Sequence, residues 1–267
     1  MSQSKRVVIT GGGSGLGQAL AQQWSQAGAR VCITDRNEAD VKSVARQLEQ
    51  QGGNVLALKA DVTSEADWES VVAAVTEAWG GVDILINNAG VATAGALEAE
   101  SIEQWQWILD INLLGIVRGC HAFGPLFRQQ GSGQVINIAS QAGVTPIPQM
   151  GSYNATKAAV VAFSETLRLE WIPAGLDVSV VCPSFFKTNL DKNMRTQQPE
   201  LKTRVARLFA KASMTADDVA QVIIERAAKG QFMILPHREG RVAWYLKRFL
   251  PQGRYLRMME KRLYRHR

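Results

Sequence analysis

Tyr153 and Lys157 stand four residues apart in the segment YNATK, a spacing that puts both side chains on one face of a helix. An ammonium held there favours the phenolate and draws down a phenol that ordinarily titrates near about 10. A tyrosine tuned this way can exchange a proton close to neutral pH. Taken alone, the pair also fits an ordinary exposed helix, where the two residue types often meet. A second cluster reads TGGGSGLG over Thr10–Gly17. Gly11, Ser14, Gly15, Leu16 and Gly17 would form a turn between a strand and a helix, where unpaired N–H groups can receive a pyrophosphate. The Gly11, Gly15, Gly17 spacing is wider than the common G-x-G-x-x-G fingerprint. Asp35 ends the next apolar run. A carboxylate at that point can accept hydrogen bonds from both hydroxyls of an adenosine ribose and repels a 2′-phosphate; the plainer reading is a solvated aspartate in a turn. Arg36 pulls the other way, because a guanidinium attracts a 2′-phosphate. The glycine turn carries no basic residue, which favours NAD, with NADP as the alternative.

These residues need a scaffold, and the chain supplies one. Short β-branched runs lie at Arg6–Thr10, Arg30–Asp35, Asn54–Asp61, Val82–Asn87, Gly133–Ser140, Asp177–Cys182 and Phe232–Leu235. They are apolar throughout rather than alternating, as parallel strands covered on both faces are. Helical patterns fill the gaps at about 15–28, 38–51, 64–79, 101–129, 152–172 and 216–229. Ser101 with Gln104 and Thr215 with Asp218 have capping-box spacing, and Gly230 follows the last of these patterns as a stop. Strand–helix alternation of this kind predicts an α/β fold, a doubly wound parallel sheet of the Rossmann type with about seven strands and helices on both faces. We expect one domain over 1–235 and a basic, amphipathic C-terminal extension over 236–267.

Composition narrows the classes. The 267 residues, 46% apolar and 20% charged, fit a soluble globular chain and exclude disorder or a collagen-like repeat. No uncharged apolar run approaches the length of a bilayer span. The opening MSQSKRVVIT passes from polar residues straight into the first apolar run, unlike a signal peptide, so a cytoplasmic protein is the expectation. Cys32, Cys120 and Cys182 fit neither a disulfide framework nor a metal-ligand spacing, and buried free thiols are expected, with no metal. The net charge of +6 is uneven: ten Lys/Arg and two Asp/Glu fall within 236–267, giving that segment +8 and the remainder −2.

Five motifs then fall in one order: TGGGSGLG, NNAG at Asn87–Gly90, INLLG with Asn112, IAS ending at Ser140, and YNATK. Together they resemble the short-chain dehydrogenase/reductase family, in its single-domain branch, from about residue 5 to 235. The resemblance implies an NAD(P)-dependent oxidoreductase that interconverts an alcohol and a ketone or aldehyde by hydride transfer. It makes Tyr153 the acid/base, Ser140 the hydrogen-bond partner of the substrate oxygen, and Lys157 the residue that binds the nicotinamide ribose and lowers the tyrosine pKa. Asn112 would hold a water in a proton relay from Lys157. Asp61 and Val62 would contact adenine, and Asn88, Ala89 and Gly90 would line the cofactor cleft. In Pro183-Ser184-Phe185-Phe186-Lys187-Thr188, the backbone of Phe186 and the side chain of Thr188 match the contacts to the carboxamide, and Pro183 opens the turn. Ser184 stands where the family usually has glycine. The resemblance also implies a homodimer or homotetramer joined through the helices at 101–129 and 152–172, whose small residues include Gly115, Gly119, Ala158, Ala159 and Ala162.

The substrate side is apolar over Gln141–Met150, together with Phe185 and Phe186, with Gln141 and Gln149 as polar exceptions; an apolar or lipid-like substrate is the expectation. Residues 189–213 read as a helical lid. In the extension, Val242, Tyr245, Leu246, Phe249 and Leu250 form one apolar helix face. Past the Pro251–Gly253 break, Leu256, Met259 and Leu263 recur on one side. Three readings stay open for this tail: docking on its own domain or a partner subunit, which is favoured; peripheral contact with an anionic membrane; and nucleic acid, which is not expected because no binding fold accompanies it. The rival to the enzyme reading is a non-catalytic nucleotide-binding or regulatory protein on the same fold.

Overall fold

A computed structural model of the chain describes residues 4–188 and 194–263. Seven strands form one sheet in the order β3-β2-β1-β4-β5-β6-β7, with every pairing parallel. They are β1 (Arg6–Thr10), β2 (Arg30–Asp35), β3 (Asn54–Lys59), β4 (Ile84–Asn87), β5 (Gly133–Ile138), β6 (Leu176–Val181) and β7 (Met233–Ile234). The runs that look uniformly apolar do so because each strand feeds two cores. Val7 and Ile9 of β1 point into one layer and Val8 into the other, the alternation that a strand imposes.

The first layer holds α1 (Gly15–Gln26), α2 (Glu38–Gln50) and α9 (Ala216–Ala227). The second holds α3 (Glu65–Trp79), α5 (Gly115–Gln130) and α7 (Gly151–Trp171), with Trp68 meeting Phe123 edge to face. Beyond the sheet's edge lie α4 (Ile102–Leu109), α6 (Gln141–Val144) and α8 (Pro199–Ala210), followed at the end by α10 (Arg238–Phe249) and α11 (Gln252–Leu263). All three cysteines are free and buried, and burial pushes their thiols up, Cys120 and Cys182 to about 12.

Several expectations need correcting. The helix expected over 101–129 is interrupted by a π turn at Asp110–Leu114, which swings Asn112 inward. The runs expected to reach Asp61 and Ser140 are shorter as strands, because their C-terminal ends bend into the loops that build the site; at the other end of β4, Val82 lies outside the strand, its backbone bonded to the Gln130 side chain. Ser101 accepts from the Gln104 N–H, but the Gln104 amide turns to Glu100 instead of closing the box; Thr215 and Asp218 close theirs in both directions. Gly115 and Gly119 do not present a small-residue face to a partner. A Cβ on Gly115 would lie 2.9 Å from Val62, and one on Gly119 would lie 2.5 Å from Asn87 and 2.7 Å from Trp68, so Gly115 lets α5 approach the loop between β3 and α3, and Gly119 lets it approach β4 and α3. Ala158 and Ala162 of α7 do face outward.

The tail docks with the face opposite to the one its apolar pattern suggests. Gly240 is buried, Trp244 packs against the second core and Lys247 donates to the Val144 carbonyl at 2.6 Å. These residues lie at i, i+4 and i+7, one side of the helix. The stripe Val242, Tyr245, Leu246 and Phe249 lies on the other side and is exposed. Of the lid expected over 189–213, residues 189–193 fall outside the described residues; α8 supplies the remainder, burying Leu201, Val205 and Phe209 against a third apolar cluster. The side chain of Leu263 also falls outside the described residues.

Candidate active site

A cavity of about 340 Å³ opens beyond the C-terminal ends of β1, β2, β4, β5 and β6, where open α/β sheets take their ligands. Its first wall is backbone. After β1, Gly11 turns at φ +64° and Gly15 at φ +56°, a region that L side chains avoid. Ser14 caps α1 without using its side chain, so the helix start is left open toward the cavity. Across the cleft, a Cβ on Gly15 would lie 3.0 Å from the Thr188 hydroxyl. Gly17, expected to touch the cofactor, does not line the cavity. A Cβ there would lie 2.1 Å from the Gly11 carbonyl, so its work is to let α1 close on the turn.

Polar side chains lock this wall. Thr10 Oγ1 accepts from the N–H groups of Asn88 and Ala89, while Asn88 Nδ2 donates to the carbonyls of Thr10 and Gly11. Asp35 accepts from the backbone N–H of Gly13 at 3.3 Å and of Asn37 at 3.1 Å, which fixes its carboxylate at the end of β2. Arg36 beside it is exposed. Asp61 turns its carboxylate back on Thr63, and with Val62, Asn88, Ala89 and Gly90 it lines the same cavity. The open turn, the oriented carboxylate and the lined cleft fit a dinucleotide.

The reacting end joins three elements. Ser140 follows β5 and caps α6, its hydroxyl accepting from Ala142 N–H at 3.1 Å. Tyr153 lies in the first turn of α7 and hydrogen-bonds Ser140. Lys157, one turn on, has its Nζ 6.0 Å from the Tyr153 ring centre and donates to the Ile138 carbonyl at 2.9 Å. All three line the cavity. Burial raises the Tyr153 phenol, with the Ser140 bond opposing, and lowers Lys157 to about 8. In the protein by itself the phenol is therefore not drawn toward neutrality, as the Tyr/Lys spacing alone suggests. Asn112 does not reach the cavity. It is buried behind, accepting from the Val91 N–H at 2.8 Å and donating to the Val91 carbonyl at 2.9 Å, and the space over Gly90 lies between its Oδ1 and Lys157 Nζ.

The second wall is side chains. Val91, Ala92, Ile111, Ala142, Ile147, Met150, Phe185, Val205 and Phe209 line it, and Phe185 meets Phe209 of the lid edge to face at 5.3 Å. Gln141 lines it too, but its Nε2 is turned to Thr145 Oγ1 and to the Gly240 carbonyl of the tail. Pro183, Phe186 and Thr188 close the cleft from β6. Ser184 does not need to be glycine, because its φ is not positive; its N–H donates to His237 Nδ1 at 3.1 Å.

Sequence reasoning passed over a set of buried polar groups under the catalytic helix. Glu100, buried, accepts from Ser152 N–H and Oγ, and Ser152 Oγ lies 2.6 Å from Thr93 Oγ1. Met150 gives α7 no side-chain cap, so a carboxylate from a distant loop serves that helix end, where negative charge is favoured. Gln149, just before it, holds φ +62°, a strained position beside the site. Nothing local in the sequence marks either feature.

Comparison with known proteins agrees with this geometry. The short chain dehydrogenase family model matches residues 5–199. The 2,5-dichloro-2,5-cyclohexadiene-1,4-diol dehydrogenase of Sphingobium indicum is 39% identical over 190 residues, 71% of this chain and 76% of that protein. The 2-(R)-hydroxypropyl-CoM dehydrogenase of Xanthobacter autotrophicus is 33% identical over 83% of this chain and 90% of its own. Among solved structures, a short chain dehydrogenase/reductase from Burkholderia phymatum in complex with NAD superposes with a TM-score of 0.88 at 31% identity, covering 92% of this chain and 93% of that one.

Proposed function

The chain belongs to the short chain dehydrogenase family, and we propose that within it Tyr153 is the acid/base of an NAD-preferring enzyme whose substrate is apolar and uncharged. The reaction class is that of the family: an NAD(P)-dependent oxidoreductase acting on small-molecule alcohols and carbonyls. Bound nicotinamide supplies the hydride acceptor or donor at its C4. In the oxidising direction Tyr153 would take the proton from the substrate hydroxyl oxygen; in reduction it would return a proton to the carbonyl oxygen. Ser140 hydrogen-bonds the substrate oxygen from the other side. Lys157, tethered to Ile138, holds the nicotinamide ribose, and Asn112 stands behind it for the proton relay. Gly11, Ser14, Gly15 and Leu16 receive the pyrophosphate, Asp35 the adenosine ribose, and Asp61 with Val62 the adenine. Gly17 supports them from beneath.

One observation carries the substrate reading. Among the described residues no charged side chain lines the cavity past Lys157, so there a carboxylate or phosphate on the substrate would lose water without gaining a partner. NAD is favoured because the backbone fixes Asp35 where a 2′-phosphate would sit. We assign 1–235 to the catalytic domain and 236–267 to an extension. We also infer a cytoplasmic homo-oligomer joined through α7, whose Ala158, Ala162 and Leu169 face outward. Among the described residues no helix is long and apolar enough to cross a membrane.

The test is a panel of alcohols and carbonyls of graded chain length, followed by reduced-nicotinamide absorbance with both cofactors. The expected result is a kcat/KM that rises with apolar size and collapses when a carboxylate is added. Faster turnover of the carboxylated compounds would overturn the substrate reading.

A further inference from the structure

We propose that the outer face of α10 and α11 docks on an anionic lipid surface. Three observations carry this. First, the face is left over after the tail has docked: Gly240, Trp244 and Lys247 satisfy the inward side, while Val242, Tyr245, Leu246 and Phe249 are exposed, Phe249 at 77%. Leu256 continues the apolar exposure on α11. An apolar helix stripe of this size left open to water marks an interaction surface.

Second, the charge is concentrated in the same place. The segment 236–267 carries +8 while the other 235 residues carry −2. Arg248, Arg254, Arg257, Lys261 and Arg262 are exposed and make no ion pair among the described residues. Two copies meeting through this face would bring two such tails together, so like-charge repulsion opposes a second copy as the occupant. Cations beside an apolar stripe match anionic headgroups and the acyl boundary beneath them. A nucleic acid could stack bases on Tyr245 and Phe249 but would leave Val242, Leu246 and Leu256 wet.

Third, the inward side of α10 is bonded to the rim of the cavity: Gly240 accepts from Gln141, the residue after Ser140, and Lys247 bonds Val144 of α6. A chain docked through the outer face would hold its apolar cavity next to the lipid. The readout below is binding alone, so its outcome is independent of the substrate and cofactor assignments.

The experiment is sedimentation of the full chain with phosphatidylcholine vesicles, with and without phosphatidylglycerol, at low and high salt. The protein should sediment with the anionic vesicles only, and added salt should release it. The pair Tyr245→Ser/Phe249→Ser, at exposed positions, should weaken binding about tenfold or more, with unchanged melting temperature and solution mass. The pair Arg254→Gln/Arg257→Gln should weaken it too and flatten the salt dependence. No binding to anionic vesicles, or undiminished binding by the aromatic variant, would overturn the proposal. So would a drop in the variant's solution mass without lipid, which would mean that a second copy covers the stripe. Binding to a polynucleotide that is indifferent to the aromatic pair and displaces the vesicles would likewise reject it in favour of nucleic acid.

Discussion

The two walls of the cavity are built by different means. The cofactor wall is the ends of β1, β2 and β4 with their turns; its shape is set by backbone, by Gly11 and Gly15 at positive φ, and by Thr10, Asp35 and Asn88 bonded to N–H and carbonyl groups. The substrate wall is side chains gathered from five separate stretches, Val91 to Phe209, packed on one another. A wall of backbone and its hydrogen bonds accepts one ligand geometry, whereas a wall of apolar side chains adapts when one of them changes. The family can thus keep one cofactor and vary its substrates, and the reacting groups Ser140, Tyr153 and Lys157 lie on the seam between the two.

The largest expected effect is at that seam. Tyr153→Phe keeps the ring that packs in the substrate wall and removes the proton carrier. Turnover should fall by at least about a hundredfold, the scale of general acid–base catalysis, with NAD(H) affinity by fluorescence titration little changed. Turnover within a few-fold of the parent would place the proton transfer elsewhere.

Lys157 sharpens the contrast through stability. Burial lowers it from 10.5 to about 8, so at pH 7 the fold carries a buried ammonium that the unfolded chain keeps in water. Lys157→Met removes that cost and loses the bond to Ile138; the net should be a gain of about 2 kcal/mol at neutral pH. Between pH 8 and 10.5 the folded lysine releases its proton before the unfolded one. The parent therefore gains stability as pH rises and the advantage of the variant fades. Denaturant melts of cofactor-free protein near neutral and at alkaline pH read this. A variant no more stable than the parent at neutral pH would mean that the fold already compensates the charge.

Asp35→Ala touches only the cofactor wall. The ratio of NAD to NADP affinities should fall by about tenfold, near the value of one or two charge-assisted hydrogen bonds, while KM for the carbonyl substrate stays put. A parent enzyme that binds NADP(H) more tightly would hand the decision to Arg36.

The contrast also explains what could be read in advance. Glycine at a turn and a carboxylate at a strand end are local demands, so Gly11, Gly15 and Asp35 declare themselves within a few residues. The strands were legible because successive residues such as Val7 and Val8 enter opposite cores, so both must be apolar. Glu100 under the catalytic helix was not, because its partner Ser152 lies 52 residues away and an acidic residue before a helix looks like solvent-facing charge. The tail misled for the opposite reason. Its apolar period is real, but Gly240, which lets the helix approach Gln141, and Trp244 decide which side docks, and amphipathic counting gives a glycine no weight. Gly119 misled likewise, since smallness suits a neighbour within the chain as well as one outside it.

The strand order has a consequence in time. β3, β2, β1 and β4 are complete by Asn87, whereas Ser140 and Tyr153 belong to the half that begins with β5. Chains are made and fold from the amino end, so the nascent polypeptide holds every strand of its nucleotide cradle some fifty residues before the ribosome adds the serine that would use it.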